Sequence, residues 1–156
     1  GGGQENGIRA GTENIFGIYG FGEAARMMTE TPENNYNKVR FLKEYLYKEI
    51  KRLRPETFLF GENAQRVDNT LLIALPNVPG DLALMRLDLD SFCVSSGSAC
   101  SSGKLSKSHV VSAMGYNKLS YNTVRLSFPP NDTLLEPDFL ITEEELDRLA
   151  QCWSKI

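Results

Sequence analysis

The chain has 156 residues, 41% of them hydrophobic and 24% charged, with a net charge of −3, which suits one domain with a sizeable core, or one domain and part of another. That balance excludes bulk electrostatic attraction to nucleic acid or anionic membrane, and no apolar run has the length of a membrane-spanning helix or the flanks of a secretory leader. Three cysteines, Cys93, Cys100 and Cys152, are an odd and sparse set that fits reduced thiols in a cytosol-like compartment rather than a disulfide framework.

The chain opens Gly1-Gly2-Gly3 with no initiator methionine, which reads as a processed chain, a piece of a longer one or a tag scar. Residues up to Thr12 carry no hydrophobic period and are expected to be loop. Ile15 to Glu30 reads as a helix weakened by Gly17, Gly20 and Gly22. Thr31-Pro32 marks a break and a fresh start, with Thr31 as N-cap and Pro32 at the first helical position. In the helix that follows, Val39, Leu42, Leu46, Ile50 and Leu53 recur every three or four residues and define its buried stripe.

Beyond Pro55, Thr57 to Phe60 and Thr70 to Leu75 read as strands around a polar turn. Asp81 to Leu89 has helical spacing, Phe92 to Val94 reads as a short strand, and Ser106 to Met114 as a short helix stopped by Gly115. Thr123 to Phe128 is a further strand, ended by Pro129-Pro130. The run Thr142-Glu143-Glu144-Glu145 is a capping box, and Leu146, Leu149, Ala150 and Trp153 form the buried stripe of a last helix. The order predicts an α+β fold, a small sheet of about four strands covered by helices mainly on one face.

Cys100 is the first candidate for chemistry. Its surroundings, Val94-Ser-Ser-Gly-Ser-Ala-Cys100-Ser-Ser-Gly-Lys104, have no core face, and Lys104 is near enough in sequence to favour a thiolate. The residues leave open whether this thiol is reactive or an incidental loop cysteine. The same stretch is not a phosphate-binding P-loop, because Gly103 falls one position late and Leu105 stands where a hydroxyl is required.

The glycine-rich start offers amides, Arg9 and Thr12 ahead of a helix, a set that suits an anion or simply tight turns. Arg125 sits in an alternating strand, where it either reaches solvent or grips a carboxylate with two parallel hydrogen bonds. His109, the one histidine, has no cysteine or acidic pair at ligand spacing, so no metal site is expected. Cys93 and Cys152 read as packing residues.

Three segments together resemble one family: Gly1-Gly-Gly-Gln-Glu-Asn-Gly-Ile-Arg-Ala-Gly-Thr12-Glu-Asn, then Val94-Ser-Ser-Gly-Ser-Ala-Cys100-Ser-Ser with Ser108-His-Val-Val-Ser-Ala-Met-Gly115, then Thr123-Val-Arg125-Leu-Ser-Phe with Thr142-Glu-Glu-Glu-Leu-Asp147. In order and spacing they resemble the NifS/IscS-like cysteine desulfurases, pyridoxal-phosphate enzymes of the aminotransferase class V superfamily, across essentially the whole chain. The resemblance implies the C-terminal portion of a fold-type I enzyme. Residues 1–31 would be the tail of the large cofactor-binding domain, a loop and a helix, and residues 32–156 the small C-terminal domain with a mostly antiparallel sheet.

The resemblance also implies roles. Cys100 is expected to be the nucleophile that takes sulfur from L-cysteine, leaving alanine and an enzyme persulfide. Arg125 is expected to hold the substrate carboxylate, and Thr12 to reach the phosphate of pyridoxal 5'-phosphate in the partner subunit, which implies a homodimer. A sulfur acceptor or iron–sulfur scaffold protein is the expected partner, and the cytoplasm or an organelle matrix the expected compartment.

The family's cofactor lysine, ring-stacking histidine and pyridine-nitrogen aspartate belong to segments upstream of Gly1. This polypeptide alone is therefore expected to be inactive, and His109 is not the catalytic histidine. The alternative reading is a catalytically incomplete dimerisation or acceptor-docking module. Pro129 to Ile141 is longer than the family connection and reads as an insertion.

Overall fold

The computed structural model describes residues 1–30, 33–96, 107–129 and 141–156. They form two compact units, residues 1–33 and 34–156. The expected N-cap at Thr31 with Pro32, the Cys100 loop and most of the Pro129–Ile141 connection lie outside the described residues.

In the first unit, Gln4–Gly7 forms one short turn whose Glu5 and Asn6 have φ of 52° and 55°, the left-handed region, followed by Gly7 at 80°. Helix α1, Ile15–Glu30, then starts behind Asn14, whose Oδ1 accepts from the Gly17 amide at 3.1 Å. The helix buries none of its residues, and Phe16, Tyr19 and Phe21 are exposed.

The second unit is built on a four-stranded sheet in the order β1-β2-β4-β3, with every neighbouring pair antiparallel. Its strands are β1 (Phe58–Leu59), β2 (Thr70–Ala74), β3 (Ser95–Ser96) and β4 (Thr123–Ser127). Helices α2 (Glu33–Leu53), α3 (Gly80–Leu89), α4 (His109–Ala113) and α5 (Glu143–Ser154) complete it.

Strand periodicity divides the residues between two faces. Leu71 and Ile73 of β2 and Val124 and Leu126 of β4 face the main core. There they meet Val39, Leu42, Leu46 and Ile50 of α2, Ala83 and Leu87 of α3, and Leu146, Leu149, Ala150 and Trp153 of α5. Each of these side chains is buried, so the stripes expected in α2 and α5 are the stripes that pack. The last helix begins as its sequence demands: Thr142 accepts from the Glu145 amide, and the Glu145 carboxylate accepts from the Thr142 amide at 3.0 Å.

The opposite face carries a smaller cluster, Phe60, Ala74 and Val111, with Phe58, Leu72 and Leu119 against it. The fold class is thus as expected, α+β with helices mainly on one face. Two local expectations are corrected. The short strand is Ser95–Ser96 rather than Phe92 to Val94, because pairing with β4 selects it: Ser95 lies opposite Arg125 and Ser96 opposite Val124. Ser91, at φ 66°, turns the chain just before this stretch.

Cys93 is the second correction. It is exposed rather than packed, since Phe92 and Val94, on either side of it, are the residues that turn toward the core.

Candidate functional site

Arg125 lies on β4, an interior strand, with Leu72 of β2 on one side and Ser95 of β3 on the other. Val124 and Leu126 point into the core, so the alternation sends Arg125 to the opposite face, beside Leu72 and the small apolar cluster. Its Nε is buried and has no hydrogen-bond partner among the described residues. Leaving a buried donor unmet costs about 1–3 kcal/mol, more for a charged group, unless an acceptor arrives. A guanidinium has no acceptor of its own and matches a carboxylate in two parallel bonds, so a carboxylate is one group that would meet this donor.

The start of β4 is firmly tied. The Asn122 side-chain amide donates to the carbonyls of Leu75 at 3.0 Å, Pro76 at 3.2 Å and Val78 at 2.7 Å, while the Gly80 amide donates to the Tyr121 carbonyl at 2.8 Å. The connection from β2 to α3 is thereby fastened across the first residues of the arginine strand. Sequence reasoning did not single out Asn122. Its only local signal is an amide side chain just ahead of a strand, a turn residue by default.

Cys100 lies outside the described residues, but both ends of its segment are placed. Upstream, Ser96 pairs with Val124, the residue next to Arg125. Downstream, Ser108 is buried, its amide donates to the Ser120 carbonyl at 2.9 Å, and its hydroxyl accepts from the Val111 amide as the cap of α4. Lys107 Nζ donates to Asn117 Oδ1 at 2.9 Å.

Thr12 belongs to the first unit and is exposed. Arg9 Nη1 donates to the carbonyls of Gly11 at 3.2 Å and Thr12 at 2.6 Å, and the Gly11 amide donates to Gln4 Oε1 at 3.3 Å. The loop is folded on itself through its carbonyls. The Thr12 hydroxyl makes no hydrogen bond among the described residues and is free to meet a phosphate oxygen. Thr12 and Arg125 are thus described in separate units, each in its own surroundings.

His109 is exposed at the first turn of α4. Among the described residues, no group of three His, Cys, Asp or Glu side chains is placed to hold a metal ion. Cys152 is buried, and burial, with Asp90 adding to it, pushes its thiol above the usual range. No described helix is long and apolar enough to cross a membrane.

The aminotransferase class-V family profile matches residues 2–138. The chain belongs to the aminotransferase class-V family. Among class-V relatives, it is 40% identical over 156 residues to a cysteine desulfurase of Nostoc sp. (strain PCC 7120), covering 100% of this chain and 37% of that protein. It is 37% identical over 152 residues to the cysteine desulfurase NifS of Azotobacter vinelandii, covering 97% of this chain and 36% of that protein. The X-ray structure of a NifS-like protein from Rickettsia africae superposes with a TM-score of 0.76 at 31% identity, over 99% of this chain and 38% of that one. The chain therefore spans little more than a third of the length of these class-V proteins.

Proposed function

We propose that the chain is the C-terminal part of a pyridoxal 5'-phosphate-dependent cysteine desulfurase, a sulfurtransferase that converts L-cysteine to L-alanine and a persulfide on Cys100. The observation that carries this reading is the buried Nε of Arg125, without a partner among the described residues, on an interior strand next to the residue that pairs with Ser96, four positions before Cys100. A carboxylate grip paired with the strand that leads, four residues on in sequence, to a candidate nucleophile is what an amino-acid substrate would need.

Of the groups the cofactor would need, this chain offers one, a hydroxyl for its phosphate. The free hydroxyl of Thr12, on a loop whose carbonyls are taken up by Arg9, suits a phosphate oxygen, and in this reading it serves the partner subunit of a homodimer. When bound, the cofactor supplies an electron sink for the substrate carbon. Arg125 holds the substrate carboxylate and so fixes its orientation. The Cys100 thiolate attacks the substrate sulfur: an S–S bond forms as the carbon–sulfur bond breaks, the released electron pair passes to the carbon side, and protonation there gives alanine. The persulfide is then handed to a sulfur-acceptor or iron–sulfur scaffold protein, in the cytoplasm or an organelle matrix.

Residues 1–31 are in this reading the tail of the large domain and 32–156 the small domain. The separate first unit supports it, as does α1, whose apolar side chains find no burial of their own. The 156-residue polypeptide by itself is expected to release no alanine from cysteine and pyridoxal phosphate, and sustained turnover by it would refute that expectation.

The test of the nucleophile is Cys100→Ser in the cofactor-loaded protein that contains this chain. Persulfide should disappear while the visible absorbance of the cofactor stays. Persulfide formation in that variant would overturn the assignment.

A further inference from the structure

Arg125 is flanked across the sheet by unlike neighbours. On the β2 side stands Leu72, which offers no polar atom, and on the β3 side stands Ser95. Directly paired residues of antiparallel strands share a face, with Cβ atoms about 4.5–5.5 Å apart. The Ser95 side chain therefore sits on the same face as the guanidinium, and of the two residues paired with Arg125 it is the one with a polar side-chain atom.

Two other hydroxyls share that face of β4, Thr123 and Ser127. Each is two residues along the strand from Arg125, farther than a direct cross-strand partner, and Thr123 is buried. Ser95 is only partly buried, and its hydroxyl makes no hydrogen bond among the described residues. A hydroxyl without a protein partner among the described residues thus stands across the strands from a buried guanidinium Nε that also has none. Neither Leu72 nor the small apolar cluster supplies an acceptor to either group.

We infer that Ser95 is a second binding residue for the substrate carboxylate, donating its hydroxyl hydrogen to the carboxylate oxygen that Arg125 leaves least satisfied. The inference rests on the reading of Arg125 given above and adds a neutral donor to its charged grip. Two donors on neighbouring strands define the carboxylate's position in the plane of the sheet, which a single side chain pivoting about its own torsions does not. A neutral carboxamide in place of the carboxylate gains little from Ser95, since the charge-assisted bond is the stronger one.

The experiment is calorimetric titration of L-alanine, and separately of L-alaninamide, into the cofactor-loaded protein that contains this chain, with S95A, S95T and R125K variants and their thermal midpoints recorded alongside. Ser95→Ala should weaken L-alanine binding about tenfold and L-alaninamide binding far less, and Ser95→Thr should restore L-alanine binding. Unchanged L-alanine affinity in S95A beside a weakened R125K would overturn the role of Ser95 while leaving Arg125 in place. Equal loss of both ligands in S95A would also overturn it, as a general structural effect. Unchanged affinity in both S95A and R125K would remove the Arg125 reading and this one with it.

Discussion

Trp153 donates its indole N–H to the hydroxyl of Thr57 at 2.9 Å, and both side chains are sealed from solvent at 0% and 2% exposure. The bond ties α5 to the segment leading into β1, and it is the single polar contact of the largest fully buried side chain. Replacing Thr57 by valine keeps the volume and strands the indole donor. The expected loss is about 1–3 kcal/mol in urea unfolding. Thr57→Val combined with Trp153→Phe should cost less than the sum of the two single changes, because each removes the same bond. Strict additivity would show that the bond carries no coupling.

Gly80 crosses β4 too closely for any side chain. A Cβ there would stand 2.7 Å from the Thr123 carbonyl oxygen and 3.1 Å from both the Thr123 nitrogen and the Tyr121 carbonyl oxygen, all backbone atoms of the arginine strand or its approach. Backbone gives way less readily than a side-chain end. Gly80→Ala should destabilise the second unit by about 1–3 kcal/mol despite the better helix propensity of alanine. A raised thermal midpoint in G80A would contradict the close crossing.

Asp68 accepts two bonds from Arg40, each 2.9 Å, and lies 3.6 Å from the buried Lys43 ammonium. The Arg40 hydrogen bonds chiefly, with the charges of Arg40 and Lys43, hold its carboxyl below the ordinary range. A carboxyl depressed in the folded state stabilises it above the unfolded value, about 3.9, and that contribution fades as pH falls through the folded value. Unfolding followed from pH 6 down to pH ~2 should therefore show a steeper loss of stability in the parent chain than in Asp68→Asn. Identical slopes would remove Asp68 from the acid response.

The two described thiols should differ in alkylation. Cys93 is exposed, whereas Cys152 is buried and its thiol is held protonated by burial above all. Iodoacetamide at pH ~8 with peptide mapping should label Cys93 well ahead of Cys152, and denaturant should erase the difference. Equal rates in the native chain would contradict the burial of Cys152.

Much of this architecture was legible because it is local. The stripe from Val39 to Ile50, the capping box at Thr142 and the alternation around Arg125 each express a single period or a four-residue motif. What the sequence withheld was pairing. Phe92 and Val94 look like a strand by composition, yet two serines form β3 because they meet Val124 and Arg125 across about thirty intervening residues. Neighbours of that kind, Leu72 and Ser95 beside Arg125, depend on the strand order β1-β2-β4-β3. For Thr12 and Cys100 the local chemistry left the choice open, and only resemblance to a family narrowed it.

The fastening at Ser96 and Ser108 has a further consequence. Both ends of the cysteine segment are held by residues of one short region, Ser96 by Val124 and Ser108 by Ser120. Ser120 and Val124 stand four positions apart, so one stretch of backbone fixes where Ser96 and Ser108 lie relative to each other. A substitution that shifts this stretch displaces both anchors together. In the proposed reading, the strand that carries the carboxylate grip then also fixes where the cysteine segment starts and ends.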